Sequence, residues 1–478
     1  MEFFYYDLIF LAVFCFVAAI FLIKKRKNVK KESKVFFLYR TRIGLKIIDR
    51  IGRRWRKGRG ILSFFSIIIG FTCMIGCIAL LVQTAKIMTL IRIPIPPIMP
   101  LIPYLPRIFK ITFLPPFYFT YWIIAIAIVS IVHEFSHGIF ARMYRVKVKA
   151  TGFAFLGPFL AAFVEPDEKK LSKKTKKAQI ATFCAGPFAN IIATIFFILL
   201  MQLFFISAFS PTGVIFNIAG KIVNVSDITI VGNMTFQGLS LSELETFVNE
   251  TGLPTEFQVM VDNQMVNFTK IVANNRTYVM PKNLQQQIKY EKKNTISIFY
   301  DSPALRLGMV EPIRKINGID IKDRTALEKE LEKYKPDDSI FIECIGKNYT
   351  IILAKNPENK SKAFLGIGFL EQTKYRWIAF LSMSISQQRN PFTYYEPKRN
   401  ANLTIFIYNL FFWLILINFS IALINMLPLG IFDGGRTFYL TALAITKKKR
   451  KALAAFKIAS YIILLLFLLL MFIWLANL

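Results

Sequence analysis

A chain of 478 residues of which 54% are hydrophobic, with a mean hydropathy of +0.46, is too apolar for a water-soluble protein and belongs in a lipid bilayer. Its net charge of +32 would suit a nucleic-acid binder, but the Lys and Arg crowd into three stretches, 24–59, 142–177 and 447–457. These are alternate loops between apolar runs and carry no nucleic-acid motif, so the charge reads as membrane topology and nucleic acid is excluded as a partner.

Hydropathy predicts six spans, at 3–23, 61–84, 117–141, 179–209, 403–425 and 454–476. The basic loops all fall on one side, which the positive-inside rule makes cytoplasmic; the amino terminus then faces out. Glu2 and Asp7 precede the first apolar run and Lys24-Lys25-Arg26-Lys27 follows it, the reverse of a cleavable signal, so the run is expected to be a retained anchor. The basic stretch after it is expected to lie against anionic lipid headgroups. Between the second and third spans, residues 92–116 hold eight prolines in an otherwise apolar run. Proline excludes a regular span there and predicts an extended segment on the outer face.

The third span carries both histidines of the chain within five residues, His133-Glu134-Phe135-Ser136-His137. Residues four apart share a helix face, so the two imidazoles can serve one Zn²⁺ while Glu134, one step round, reaches a water on the metal. Ionisable groups inside a membrane are costly, which weighs against an idle role. After the span, Val146 to Pro158 alternates like a strand before charge returns at Glu165.

A tetrahedral zinc holding two histidines and a water lacks one protein ligand. Asp433 is the candidate. It lies in Asn425-Met426-Leu427-Pro428-Leu429-Gly430-Ile431-Phe432-Asp433-Gly434-Gly435, where Pro428 and the glycines break helical hydrogen bonding at membrane depth. An Asp in a turn just beneath the membrane is the alternative reading of the same residues.

Together, H-E-x-x-H and N-x-x-P-x-x-x-x-D-G resemble the site-2 protease family of intramembrane zinc metalloproteases, through His133, Glu134, His137, Asn425, Pro428, Asp433 and Gly434. The resemblance implies one zinc per chain held by His133, His137 and Asp433, with Glu134 as general base and acid. Gly186-Pro187-Phe188-Ala189-Asn190 also looks like a family element, and by that resemblance Asn190 and Asn425 would hold the substrate or the oxyanion. The family has a re-entrant hairpin at the position of 146–158, beside the active site; a cytoplasmic loop is the plainer reading of the pattern alone. The implied substrate is a transmembrane protein or a signal-peptide remnant. A membrane metal transporter, or a zincin of the prenyl-protein protease type, is the rival reading.

The loop from 210 to 402 is expected outside. It carries eight glycosylation sequons, starting at Asn224, Asn233, Asn249, Asn267, Asn275, Asn348, Asn359 and Asn402. Of the five cysteines only Cys344 lies in this loop, so no disulfide framework is available to it. Asp301-Ser302-Pro303-Ala304-Leu305-Arg306-Leu307-Gly308, followed by Ile313-Arg314-Lys315-Ile316-Asn317-Gly318, resembles a protease-associated PDZ domain, with Glu311-Pro312 as a departure. A predicted helix near 325–334 and strands over 339–353 continue it. An earlier stretch, with strand 228–232, helix 241–248 and strands over 256–271, looks like a divergent copy.

The expected architecture is an all-α membrane core of about six helices with an inserted extracytoplasmic α+β PDZ-like region. Its parts are an anchor and basic loop (1–60), a span with the Pro-rich segment (61–116), the first half of the protease core (117–210), two PDZ-like modules (211–295 and 296–402), and the second half of the core with the last span (403–478).

Overall fold

The computed structural model describes residues 3–24, 29–31, 36–90, 100–109, 111, 114–156, 159–238, 240–250, 254–261, 264–282, 294–369, 390 and 392–476. The chain forms two compact units, Met1–Phe205 with Asn402–Leu478, and Ile206–Ala401.

Among the described residues, six helices are long and apolar enough to cross a membrane. They are α1 (Phe3–Lys24), α3 (Arg59–Leu90), α5 (Phe119–Met143), α7 (Lys176–Ala208), the fifth span Ala401–Ile424 and the sixth span Lys449–Ala476. The chain is thus an integral, multi-pass membrane protein, with spans within a few residues of those expected from hydropathy. The fifth span packs Trp413 on Phe117 at 4.0 Å, just before α5. A shorter helix, Asp433–Thr446, separates the fifth span from the sixth.

Most of α1 faces outward, yet Asp7 is 1% exposed. Its carboxylate accepts from the backbone N–H groups of Phe119 and Thr120 at 2.7 and 2.8 Å, from Thr120 Oγ1 at 2.5 Å and from Tyr104 Oη at 2.5 Å. Helix α5 has no cap from its own chain neighbours. The first span supplies one, satisfying two amide donors that would otherwise be orphaned. Tyr104 belongs to the Pro-rich segment, where the structure finds one helical turn, α4 (Leu105–Ile108), and Trp122 Nε1 donates to Leu101 O at 2.8 Å. So 100–109 packs on the helix ends; prolines 94, 96 and 97 lie outside the described residues.

The alternating segment after α5 is strand β3 (Val148–Leu156), paired antiparallel with β4 (Phe159–Pro166); Gly157 and Pro158 lie outside the described residues. Two strands from the basic stretch extend it, β2 (Phe36–Thr41) on β3 and β1 (Val29–Lys31) on β2. Helix α2 (Leu45–Arg54) follows and packs on α5, with Ile48 fully buried and Asp49 Oδ1 2.5 Å from Arg142 Nε. A Cβ on Gly52 would meet Arg142 Cβ at 2.5 Å, so the crossing requires glycine. Within the basic stretch 24–59, Leu45, Ile48 and Gly52 thus form a narrow apolar stripe that the surrounding charge hid.

In the second unit, one seven-stranded sheet runs in the order Gly220–Asn224, Thr295–Phe299, Arg276–Pro281, Gln264–Ala273, Ile228–Val231, Met234–Thr235, with Phe257–Val261 also paired to Gln264–Ala273. It packs Leu244 of the helix Leu241–Glu250 into its core. A six-stranded sheet runs Asn348–Ile352, Ser339–Cys344, Ile313–Ile316, Phe209–Val214, Thr393–Pro397, with Ile319–Asp320 on Ile313–Ile316. Leu327 of the helix Arg324–Leu331 fills that core. Phe209–Val214 pairs with Ile313 and with Thr393–Pro397, so the earlier module is inserted into the later one. A short strand declares that it will pair, not with which partner.

Candidate active site

Helix α5 presents His133 and His137 one turn apart, 6% and 9% exposed, with ring centroids 4.8 Å apart. Helix α7 lies against them at Gly186, where a Cβ would stand 2.5 Å from both Nε2 atoms. Any side chain there would fill the space in front of the imidazoles. Ser136 Oγ ties the two helices together, donating to His133 O at 2.6 Å and Ala185 O at 2.8 Å.

The third group arrives from 300 residues away. After the fifth span ends, the chain turns through 425–432 with Met426 and Leu427 fully buried. Gly434 N donates to Asn425 O at 2.7 Å, closing the turn. Asp433 then opens the short helix Asp433–Thr446, where a carboxylate is favoured by the helix dipole. Its Oδ2 lies 3.2 Å from His133 Nε2 and 3.2 Å from His137 Nε2. Of the two readings the sequence left for Asp433, a turn residue or a member of the site, the geometry puts it with the histidines.

The donor set suits a metal. His137 Nδ1 lies 2.7 Å from Thr182 O, a carbonyl that can only accept, so Nδ1 carries a proton and Nε2 is the ring atom left to face Asp433 and to bind a metal. Two imidazoles and one carboxylate, with no thiolate converging on them, are ligands of zinc type. Asn190 Oδ1, in the same buried pocket, finds no hydrogen-bond donor among the described residues.

The Glu134 carboxylate and the two histidines keep their ligand atoms within 4.8 Å of one another. The carboxylate turns toward the sheet, where Val164 N on β4 donates to Oε2 at 3.1 Å. Asn190, fully buried, brings Nδ2 to 3.0 Å from His133 Nδ1, and Asn425 Nδ2 lies 3.5 Å from His133 Nε2. Sequence reasoning missed Thr182, Ser136 and Val164. All three act through groups common to every residue or to any serine, so their identities carry no signal.

A bundle of membrane spans that brings together two buried histidines, a neighbouring glutamate and a distant aspartate defines an intramembrane metallohydrolase. Comparison with known proteins agrees: the chain matches the model of peptidase family M50 over residues 121–470 and belongs to that family. It is an intramembrane zinc metalloprotease of the site-2 protease type. It is also similar to a Methanocaldococcus jannaschii protein described as uncharacterized protein MJ0971, 30% identical over 272 residues that cover 54% of this chain and 68% of the relative.

Proposed function

We propose that the chain hydrolyses peptide bonds within or beside transmembrane segments of membrane-protein substrates, with His133, His137 and Asp433 holding a single zinc. The observation that carries this reading is the meeting of His133 Nε2, His137 Nε2 and Asp433 Oδ2 within 3.2 Å contacts. When bound, zinc would polarise the scissile carbonyl and acidify a water. Glu134 takes the proton of the attacking water and returns it to the leaving nitrogen. Val164 N holds that carboxylate in place. The outer edge of β4, which carries this N–H, offers an unwound substrate a strand to pair with. Asn425 stands beside Nε2 of His133, where an amide donor could face a developing oxyanion.

Charge places the basic loops and the active-site end on the cytoplasmic side and residues 210–402 outside. The exposed Arg42, Lys46, Arg50, Arg53 and Arg54 would then meet anionic headgroups. The two sheet modules would screen substrates by size or by a newly made end. Cleavage is tested with enzyme and a single-span substrate reconstituted in liposomes, comparing wild type with Glu134→Gln. Product from wild type alone supports the reading, and equal product from both removes it.

A further inference from the structure

Three spans end together on the side of the bundle that carries the basic loops. Helix α3 starts at Arg59, α5 finishes at Met143 and α7 starts at Lys176. Between them lies a cavity of about 500 Å³ lined by Arg59, Met143, Tyr144, Arg145, Lys174 and Thr175. Tyr144 Oη and Ser63 Oγ, 2.6 Å apart, tie the end of α5 to α3 at this place. Arg145 stands in the turn that closes α5, where Val146 N donates to Ala141 O at 2.9 Å.

Three cations therefore line one space, and none of them forms an ion pair among the described residues. The described carboxylates of the loops 24–59 and 142–177, which are Asp49, Glu165, Asp167 and Glu168, all pair with other cations. A cation that only marks topology projects into water by itself; here Lys174 is half-buried and shares its cavity with two guanidinium groups. The amino end of α7, a helix of 33 residues, adds the positive end of its dipole. Such a space favours an anion.

We propose that this cavity binds the phosphate of an anionic phospholipid. Guanidinium and ammonium groups gathered round one space are suited to phosphate oxygens. Position favours a lipid over a soluble phosphate compound: a cavity at the ends of three spans lies where hydrocarbon gives way to headgroups. Just inside Arg59, Ile61, Phe64 and Phe65 of α3 are exposed, an apolar surface on which acyl chains can lie. Met143 ends the helix that carries His133 and His137, so a lipid held here braces that helix against α3 and α7. The proposal uses no zinc ligand and stands independently of the proteolytic reading.

The test is a binding titration of the full-length protein in nonionic detergent, with dioctanoyl phosphatidylglycerol as the lipid probe and glycerol phosphate as the soluble one. Saturable binding of the lipid is expected, with glycerol phosphate at least ~10-fold weaker because it lacks acyl chains. Lys174→Gln should weaken lipid binding by about 10–100-fold, the worth of one hydrogen bond between charged groups, and Arg59→Gln with Arg145→Gln by more. Lys449→Gln with Arg450→Gln and Lys451→Gln removes three exposed charges from another basic loop and should leave binding within a few fold of wild type. Lys174→Gln alters one side chain without an ion-pair partner, so it decides the matter alone if the double variant does not fold. The proposal is overturned if lipid binding does not saturate, if Lys174→Gln binds as wild type does, or if the variant of 449–451 loses as much, which would assign the effect to diffuse charge. Glycerol phosphate binding as tightly as the lipid would give the cavity to a soluble phosphate compound and overturn the lipid assignment.

Discussion

Val164 donates its backbone N–H to Glu134 at 3.1 Å, so the carboxylate proposed to move protons is held by the edge of a sheet that begins in the amino-terminal loop. Val164→Pro removes that N–H and little else in a strand, because the group points away from β3. A hydrogen bond to a charged group contributes about 1.5–3 kcal/mol, equivalent to roughly 10–100-fold in rate if it is fully expressed at the transition state. The expected outcome is a fall in kcat of that order in Val164→Pro and near-normal kcat in Val164→Ala, which loses comparable packing but keeps the donor. Equal losses in the two variants would assign the effect to packing.

Glu134→Gln keeps the shape of the side chain and removes the base. Zinc content should be unchanged while cleavage of an embedded substrate falls by at least the ~10²–10⁴ typical of general acid–base catalysis. Metal analysis and turnover on the same reconstituted sample give both readings; near-normal turnover would exclude Glu134 from the chemistry.

Zinc should be present at one per chain and should be lost from His133→Ala with His137→Ala. Asp433→Asn should bind it more weakly by more than the ~10–100-fold of an outer-shell change, since a neutral amide is a poorer ligand than a carboxylate. Chelator competition measures this directly. Wild-type affinity in Asp433→Asn would remove Asp433 from the ligand set.

Asp7 receives four hydrogen bonds, three of them from the first two residues of α5. Asp7→Leu leaves the Phe119 and Thr120 amides buried without an acceptor, at a cost of about 1–3 kcal/mol for each group. Thermal unfolding in detergent should therefore begin at lower temperature than for wild type, and Asp7→Asn should lie between the two. No change in either variant would show that the contact does not hold α1 to α5.

A short epitope inserted after Gly346, in an open turn with no neighbouring atom near its Cβ position, should be reached by antibody only from the extracytoplasmic side of sealed cells or vesicles. Recognition from the cytosolic side alone would reverse the proposed topology and remove the proposed screening of substrates by residues 210–402.

What could be read from the residues was what helix periodicity and charge record. His133 and His137 declare a shared face through their spacing, and hydropathy located the spans. Asp433 was legible as a break in a span, but its meeting with His133 across 300 residues depends on how the chain folds back, which local pattern does not encode. The helix Asp433–Thr446 was missed because Asp-Gly-Gly reads as a turn, and its amino-terminal stabilisation comes from tertiary position. Strand Phe36–Thr41 was missed because its partner lies 110 residues on, at Thr151.

The insertion of one sheet module inside the other sets an order of events during synthesis. Phe209–Val214 leaves the ribosome early, but its neighbours Ile313 and Thr393–Pro397 follow only after the whole of the inserted module has been made. That module can close its own sheet, Gly220 to Phe299, as soon as it emerges, whereas the surrounding one must wait with a strand unpaired. Such long-range pairing is slow and leaves an edge open to wrong partners. A translational pause or a truncation between residues 300 and 392 should then strand the outer module half-built while the inner one is already folded, so defects in this region would surface as aggregation of nascent chains well before they surfaced as lost catalysis.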